Sequence, residues 1–439
     1  MTSPFGKNII NIAKLQILFV GSGLLTQIFL ARYLGPEQKG TFDLFLLVPT
    51  VLASIIDLGL LSANTYFAGK KVISIQTLHS HSLLWSLLSI IILFVIFIGL
   101  ESGLLSLFHT LSGTTLLLSI LLAGPTMYFS LWSALMYGID RVRAVYQFNV
   151  VASFVTLFCY LFITFFLRLD LLSILYVTAG LNITKTLVAL FVFNRERSWK
   201  VSVDPKALKT SLRYSIVVYL GLIINTLHFR IDQFFVNAML GSAQLGIYAL
   251  AVRIAEMVWL LDYSIINASI FRVTSSSPEE ASRVTQRVAR LVGTLVFGAS
   301  IVISLAAPFI IPVVFGKDFS PSIVPLVLLF PGILAWSLAR VLAQFVVYQS
   351  GKPWFNLKAS AVAFLVNLVL IIILIPAWGI TGAAIASSVS YVINFTFLAR
   401  AFKELAKTNL KSILIPTHED FVLLKALLSE RRSMYVRKP

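Results

Sequence analysis

Residues 228–262 read HFRIDQFFVNAMLGSAQLGIYALAVRIAEMVWLLD. The stretch is mostly apolar, yet it carries Arg230, Asp232, Arg253, Glu256 and Asp262. Two apolar helices are predicted to meet at the turn Leu240-Gly241-Ser242-Ala243-Gln244-Leu245-Gly246. Charges in helices of this kind are costly in lipid and face a bundle interior or a water-filled cavity. The turn occurs a second time as Leu34-Gly35-Pro36-Glu37-Gln38-Lys39-Gly40. Leu34, Gly35, Gln38 and Gly40 match Leu240, Gly241, Gln244 and Gly246 at an offset of 206 residues, close to half of the 439-residue chain. The sequence therefore reads as an all-α membrane protein built from two similar halves.

Composition points the same way. The chain is 58% hydrophobic and 12% charged, against about 25% charged for a soluble protein, and its mean hydropathy is +0.91. Large buried core helices would not recur along nearly the whole chain at the spanning length of about 20 residues. A single cysteine, Cys159, excludes an intrachain disulfide. No cleavable signal is evident, because the first apolar run lacks a small-residue cleavage site. The net charge of +17 does not point to nucleic acid, since the basic residues sit in alternate loops and in the tail.

Twelve spans are predicted. They lie at about 9–30, 41–63 (with Pro49 as a kink), 83–100, 114–137, 148–167, 172–193, 212–237, 241–267, 291–314, 323–349, 356–375 and 380–402. Residues 1–195 form an N-terminal six-helix lobe, 196–211 a cytoplasmic linker, 212–402 a C-terminal six-helix lobe and 403–439 a basic cytoplasmic tail. Within the tail, Phe421–Leu428 reads as a surface helix. Ser277 reads as the cap of a short surface helix before the ninth span, with Glu279 and Glu280 in its first turn. His79 and His81 read as ordinary loop histidines before the third span.

Twelve spans put both termini on one side. Of the 35 Lys and Arg, four (Arg32, Lys39, Arg168, Lys317) lie in the opposite loops and four (Lys185, Arg230, Arg253, Arg340) within spans; the other 27 share the side of the termini. The positive-inside bias makes that side cytoplasmic. Six spans per half repeat in the same orientation, so the halves are expected to be related by a pseudo-twofold axis along the membrane normal.

Several stretches carry a family resemblance. They are Ala31–Gly40, Asp57-Leu58-Gly59-Leu60, Arg230-Ile231-Asp232-Gln233 leading to Gly246-Ile247-Tyr248-Ala249-Leu250-Ala251, Phe315-Gly316-Lys317-Asp318-Phe319 and Trp378-Gly379-Ile380-Thr381-Gly382-Ala383-Ala384. In this order they cover almost the whole chain. The chain resembles the polysaccharide-biosynthesis export proteins, oligosaccharide-lipid flippases of the multidrug/oligosaccharidyl-lipid/polysaccharide exporter superfamily. The resemblance implies a transporter, not an enzyme, in a prokaryotic plasma membrane. It would move a polyprenyl-diphosphate-linked oligosaccharide outward by alternating access between two lobes around a polar, often cationic, cavity. No cofactor is implied, and a proton or sodium gradient would drive it; the sequence shows no G-x-x-x-x-G-K-[ST] phosphate loop. Membrane lipids, a polysaccharide polymerase and glycosyltransferases are the implied partners, nucleic acid is not one, and the transport unit is expected to be a monomer. The alternatives are a multidrug or cation exporter of the same superfamily and a membrane-bound glycan polymerase or ligase. The short external loops count against the enzyme.

Candidate substrate-binding residues are Arg230, Arg253, Arg340 and Lys185, since a guanidinium or ammonium suits a diphosphate. Arg253 and Glu256, three apart on one helical face, can instead pair with each other. Asp57, Asp232, Glu256 and Asp262 are candidates for ion coupling, because a buried carboxylate can become protonatable; each can also simply neutralise an arginine. Arg32 and Asp43 flank the first external turn as gate candidates. Arg230, with Arg253 or Arg340, is expected to face an opening between the lobes lined by Asn64, Thr65, Asn225 and Asn267. A net-positive cavity favours the flippase and a net-acidic one the drug exporter.

Overall fold

A computed structural model of the protein describes residues 4–108, 110–197, 201–409 and 411–414. The expected surface helix at Phe421–Leu428 lies outside them. The described residues form helices and no strand. In chain order these are α1 (Pro4–Ile56), α2 (Leu60–Lys70), α3 (Ile75–Leu107), α4 (Gly113–Leu121), α5 (Ala123–Gly138), α6 (Val142–Phe162), α7 (Leu171–Arg197), α8 (Pro205–Leu240), α9 (Ser242–Met257), α10 (Trp259–Ser275), α11 (Pro278–Val314), α12 (Ile323–Gln344), α13 (Pro353–Ala406) and α14 (Lys411–Leu414). Among the described residues, nine helices are long and apolar enough to cross a membrane, or ten if the bent pair within α8 is one span.

Two helices are too long for one crossing. At 1.5 Å per residue, α1 and α13 would each reach about 80 Å, against a hydrocarbon core of about 30 Å. Each is broken at a glycine: Gly35 (φ 67°, ψ 176°) in α1 and Gly379 (φ 60°, ψ −141°) in α13. Such dihedrals cost an L side chain energy and are open to glycine. The expected count of twelve rests on reading each as two spans. The repeated turn supports that reading for α1. Gly241, matched to Gly35, has φ 85° and ψ 175° and separates α8 from α9. The same backbone turn thus stands at both copies of the sequence repeat.

Two local expectations are corrected. Pro49 lies within α1, and Ser119 of α4 donates its hydroxyl at 2.8 Å to the Phe45 carbonyl that the missing Pro49 N–H leaves free. α1 ends at Asp57-Leu58-Gly59, where Leu58 (φ 48°) and Gly59 (φ 78°) take the left-handed conformation. Ser277 does cap a helix, accepting from the Glu280 N–H at 3.3 Å. That helix, however, runs unbroken through α11, because no breaker intervenes before the ninth span. His79 and His81 are not loop residues. Ser74 caps α3, accepting from Thr77 N–H, so both histidines fall in its first turns and are buried.

The chain divides into two compact units. One is Met1–Ile247 with Pro312–Phe319; the other is Tyr248–Ile311 with Ser320–Pro439. In the first, the segment before α8 is fastened to the start of α3. Ser202 N–H donates to Ser80 Oγ at 3.1 Å, and Asp204 N–H to His81 Nε2 at 3.2 Å. Asp204 then caps α8, accepting from Lys206 and Ala207 N–H, with Pro205 at the first helical position. Asp170 caps α7 similarly, and its hydrogen bond from Ser173 holds its carboxyl below the usual range. In the second unit, the small-residue stretch 382–388 admits a close neighbour. A Cβ on Gly332 of α12 would lie 2.6 Å from the Ser388 Cα of α13.

Candidate functional site

The first unit holds a cavity of about 680 Å³ walled by α1, α6 and α7. On α7, Thr178, Asn182 and Lys185 fall at i, i+4 and i+7 and so share one helical stripe. Thr26 and Gln27 of α1, Gln147, Thr156 and Tyr160 of α6 and Thr184 of α7 add to the polar part of the wall. Tyr160 is buried and hydrogen-bonded to the Thr178 hydroxyl at 2.6 Å, which fixes α6 against α7. The remaining lining is mainly aliphatic, with Phe42 and Phe148.

Lys185 is the one charged residue in that wall, and no Asp or Glu lines it. Its Nζ lies 3.7 Å from the centroid of the Phe129 ring. A cation–π contact contributes about 0.5–2 kcal/mol, while a lysine at the centre of a spanning helix costs about 2.5–3.5 kcal/mol on insertion scales. The ring therefore offsets only part of the cost, and the polar wall must solvate the rest. Phe129, Trp132 and Phe148 pack as a three-ring cluster, with centroids 5.4–5.6 Å apart, behind the lysine.

The other candidates of the first unit are held locally. Arg32 caps the end of α11: its Nε donates to the Val314 carbonyl at 2.7 Å and its Nη2 to the Val313 carbonyl. A cation there suits the negative end of the helix. Asp43 is buried in an ion pair with Lys39, one helical turn away. The two gate candidates thus have separate partners. Asp57 Oδ1 accepts from Gly59 N–H at 2.7 Å across the break after α1. The carbonyls freed at that break are taken by side chains: Ile55 by Tyr219, Ile56 by Trp85 and Leu58 by Ser215. Non-helical backbone at membrane depth requires such partners. Asp232 of α8 is buried and accepts from Gln233 N–H at 2.8 Å; Arg230 is half-buried on the same helix.

In the second unit, Asp262 stands in the first turn of α10 and is fully buried. Arg340 of α12 pairs with it: Nη2 lies 2.7 Å from Oδ1 and 2.6 Å from Oδ2. The guanidinium also lies 5.2 Å from the Trp259 ring, and its Nε is buried without an acceptor. One nitrogen thus serves both carboxylate oxygens, and the planar fork is not used in full. Arg253 of α9 is exposed, and Glu256 of the same helix is half-buried. The structure therefore brings one substrate candidate, Arg340, onto one coupling candidate, Asp262.

The expected amide lining does not include Asn64. Its amide is buried and spent on Ser82 Oγ at 2.8 Å and the Leu131 carbonyl at 3.4 Å, tying α2 to α3 and α5. Gln27, Tyr160, Asn182 and Phe129 were not foreseen as site residues. The signal for Asn182 was present, since Asn182, Thr184 and Lys185 interrupt an otherwise apolar span.

Apolar spanning helices in a two-lobed all-α architecture are those of a multi-pass membrane protein of the transporter class. The chain belongs to the polysaccharide biosynthesis protein family, whose model matches residues 5–277. It is 23% identical over 195 residues to a protein of Haloferax volcanii described as a probable low-salt glycan biosynthesis flippase, Agl15. That match spans 44% of this chain and 40% of the relative. Three solved structures share the fold, each at 14% identity. The lipid II flippase MurJ in an inward closed conformation has a TM-score of 0.72, covering 92% of this chain and 91% of that one. An inward-facing multidrug resistance MATE family transporter of the MOP superfamily has 0.70, covering 90% and 96%. A MOP superfamily transporter from Pyrococcus furiosus, described as having a binding pocket of reverse polarity, has 0.64, covering 91% and 96%.

Proposed function

We propose that the protein is a flippase for a polyprenyl-diphosphate-linked oligosaccharide, acting by ion-coupled alternating access in a prokaryotic plasma membrane. The observation that carries this reading is the charge of the first unit's cavity: one lysine and no carboxylate among its lining residues. A lysine repels a cationic drug and attracts a diphosphate, and the surrounding hydroxyls and amides suit a sugar. A multidrug or cation exporter is the second reading, favoured by the shared fold with a multidrug transporter. The lipid diphosphate would engage Lys185, with Arg230, Arg253 and Arg340 as further cations. Asp57, Asp232, Glu256 and Asp262 are the carboxylates available for a coupling proton or sodium ion. Arg32 and Asp43 are the gate residues of this scheme. The six-span lobes 1–195 and 212–402, the linker 196–211 and the tail 403–439 belong to it as well. A polysaccharide polymerase and glycosyltransferases are the partners that would supply and consume such a substrate.

The test is complementation of a strain lacking its own lipid-linked-glycan flippase. Surface glycan returns if the reading is right. Cationic-drug resistance without restored glycan would establish the exporter instead. Topology is tested separately, in a Cys159→Ser background. Lys317→Cys should react with an impermeant thiol reagent applied outside intact cells, and Lys206→Cys should not. The reverse labelling would invert the proposed orientation of the termini.

A further inference from the structure

Three tyrosines of the first unit are spent on structure. Tyr128, Tyr160 and Tyr219 are buried, and their hydroxyls bond to His79, Thr178 and the Ile55 carbonyl. Tyr66 of α2 and Tyr214 of α8 are placed differently. Their ring centroids lie 4.5 Å apart and the rings are 18° from parallel, a stacked pair contributed by two helices. Phe67, buried beside them, packs steeply against both rings, with centroids at 5.1 Å and 5.4 Å. The pair is fixed in place, yet Tyr66 stays 41% exposed and Tyr214 39% exposed. Each ring covers one face of the other, so the outer faces and the hydroxyls are what a ligand can reach. Cations surround them. Lys70 follows Tyr66 by one turn of α2, and Lys206, Lys209 and Arg213 precede Tyr214 on α8; all four are exposed. Residues 60–75 and 201–220 hold one carboxylate between them, Asp204, and it is engaged as the cap of α8.

We propose that Tyr66 and Tyr214 form a saccharide platform, on which a sugar ring of the lipid-linked glycan stacks before transport while its diphosphate is drawn to the surrounding cations. The proposal rests on the flippase reading above. A pyranose presents polarised C–H bonds on a face and hydroxyls at its rim. The C–H bonds suit the negative face of an aromatic ring, and the tyrosine hydroxyls can bond the rim. Tyrosine offers such area at low entropic cost, and here Phe67 and the mutual stacking hold the rings before any ligand arrives. The basic residues put the platform on the side that the positive-inside bias makes cytoplasmic, from which outward transport starts. A tyrosine that only anchors a helix at the membrane surface needs its ring among headgroups; it does not need a second helix to stack another ring upon it.

The test uses the whole protein in lipid nanodiscs and two probes: polyprenyl diphosphate carrying one N-acetylglucosamine, and the bare polyprenyl diphosphate. Nitration of exposed tyrosines is followed by mass spectrometry. The glycosylated probe should slow nitration of Tyr66 and Tyr214 and spare Tyr263, which is also exposed. The bare carrier, having no sugar to stack, should protect neither. Equal protection by both probes would mark the pair as an interfacial anchor and overturn the proposal, as would no protection by either. Tyr66→Leu and Tyr214→Leu should each weaken binding of the glycosylated probe by about 10-fold, the size of one aromatic contact, and leave binding of the bare carrier unchanged. Tyr66→Phe and Tyr214→Phe should keep most of the affinity. Folded Leu variants that bind both probes like the parent would overturn the proposal; if the Leu variants do not fold, nitration of the parent decides. Unprotected tyrosines in a protein that restores surface glycan would reject the platform alone, whereas protected tyrosines with failed complementation would reject the flippase reading and keep the saccharide site.

Discussion

Lys185→Ala should lower glycan export by about 10- to 100-fold while leaving the protein as abundant as the parent. A charge-assisted hydrogen bond contributes about 1.5–3 kcal/mol, and each 1.4 kcal/mol is a factor of ten. Lys185→Arg should retain part of the activity, because the charge survives while the donor geometry changes. Lys185→Glu should abolish export, since it turns the sole charge lining the cavity against an anionic substrate. Stability separates a functional lysine from a structural one. The contact with Phe129 at 3.7 Å returns less than the lysine costs at mid-span. Lys185→Ala should therefore leave thermal stability in detergent unchanged or raise it slightly, a trade expected of a site residue. Export comparable to the parent from Lys185→Glu would remove the lysine from the mechanism. Increased export of a cationic drug by that variant would favour the second reading.

The architecture was legible because membrane solvent imposes a coarse rule. Spanning helices must be apolar for about 20 residues, so the order of spans could be read from residues 9–402 without any packing knowledge. The repeated turn was legible for a different reason. A backbone with positive φ selects glycine, so Gly35 and Gly241 mark the same bend in plain sequence. What stayed hidden depended on partners distant in the chain. The partner of the Phe45 carbonyl that Pro49 leaves free, Ser119, lies 74 positions on and is invisible to local reading. His79 looked like a loop residue because its Tyr128 partner, 2.7 Å away, comes from another helix. Lys185 was visible as an oddity, but its cavity and Phe129 required α1, α5, α6 and α7 to assemble. Charges announce themselves in an apolar span; the groups that solvate them do not.

The pair Arg340–Asp262 allows a test in which structure and function give opposite results. Removing one member of a buried ion pair strands the other, at about 3–5 kcal/mol. The lower end applies to Asp262→Leu, because the stranded Arg340 side chain is 28% exposed and can reach water, and the upper end to Arg340→Met, because the stranded Asp262 side chain is fully buried. Asp262→Leu and Arg340→Met should therefore each lower thermal stability. The double variant should recover most of it, since an apolar pair of similar volume needs no desolvation. Export should behave differently if Arg340 meets the diphosphate. Its bond to Asp262 uses one nitrogen, and its Nε has no acceptor, so an anion offering several oxygens could take over a guanidinium that the carboxylate holds incompletely. Asp262 would then be the internal counter-ion that keeps Arg340 paired until the substrate arrives. On that account the double variant is stable and fails to export. A double variant that is both stable and active would show that the pair only holds α10 against α12, and would leave Lys185 as the cation on which recognition of the lipid diphosphate chiefly depends.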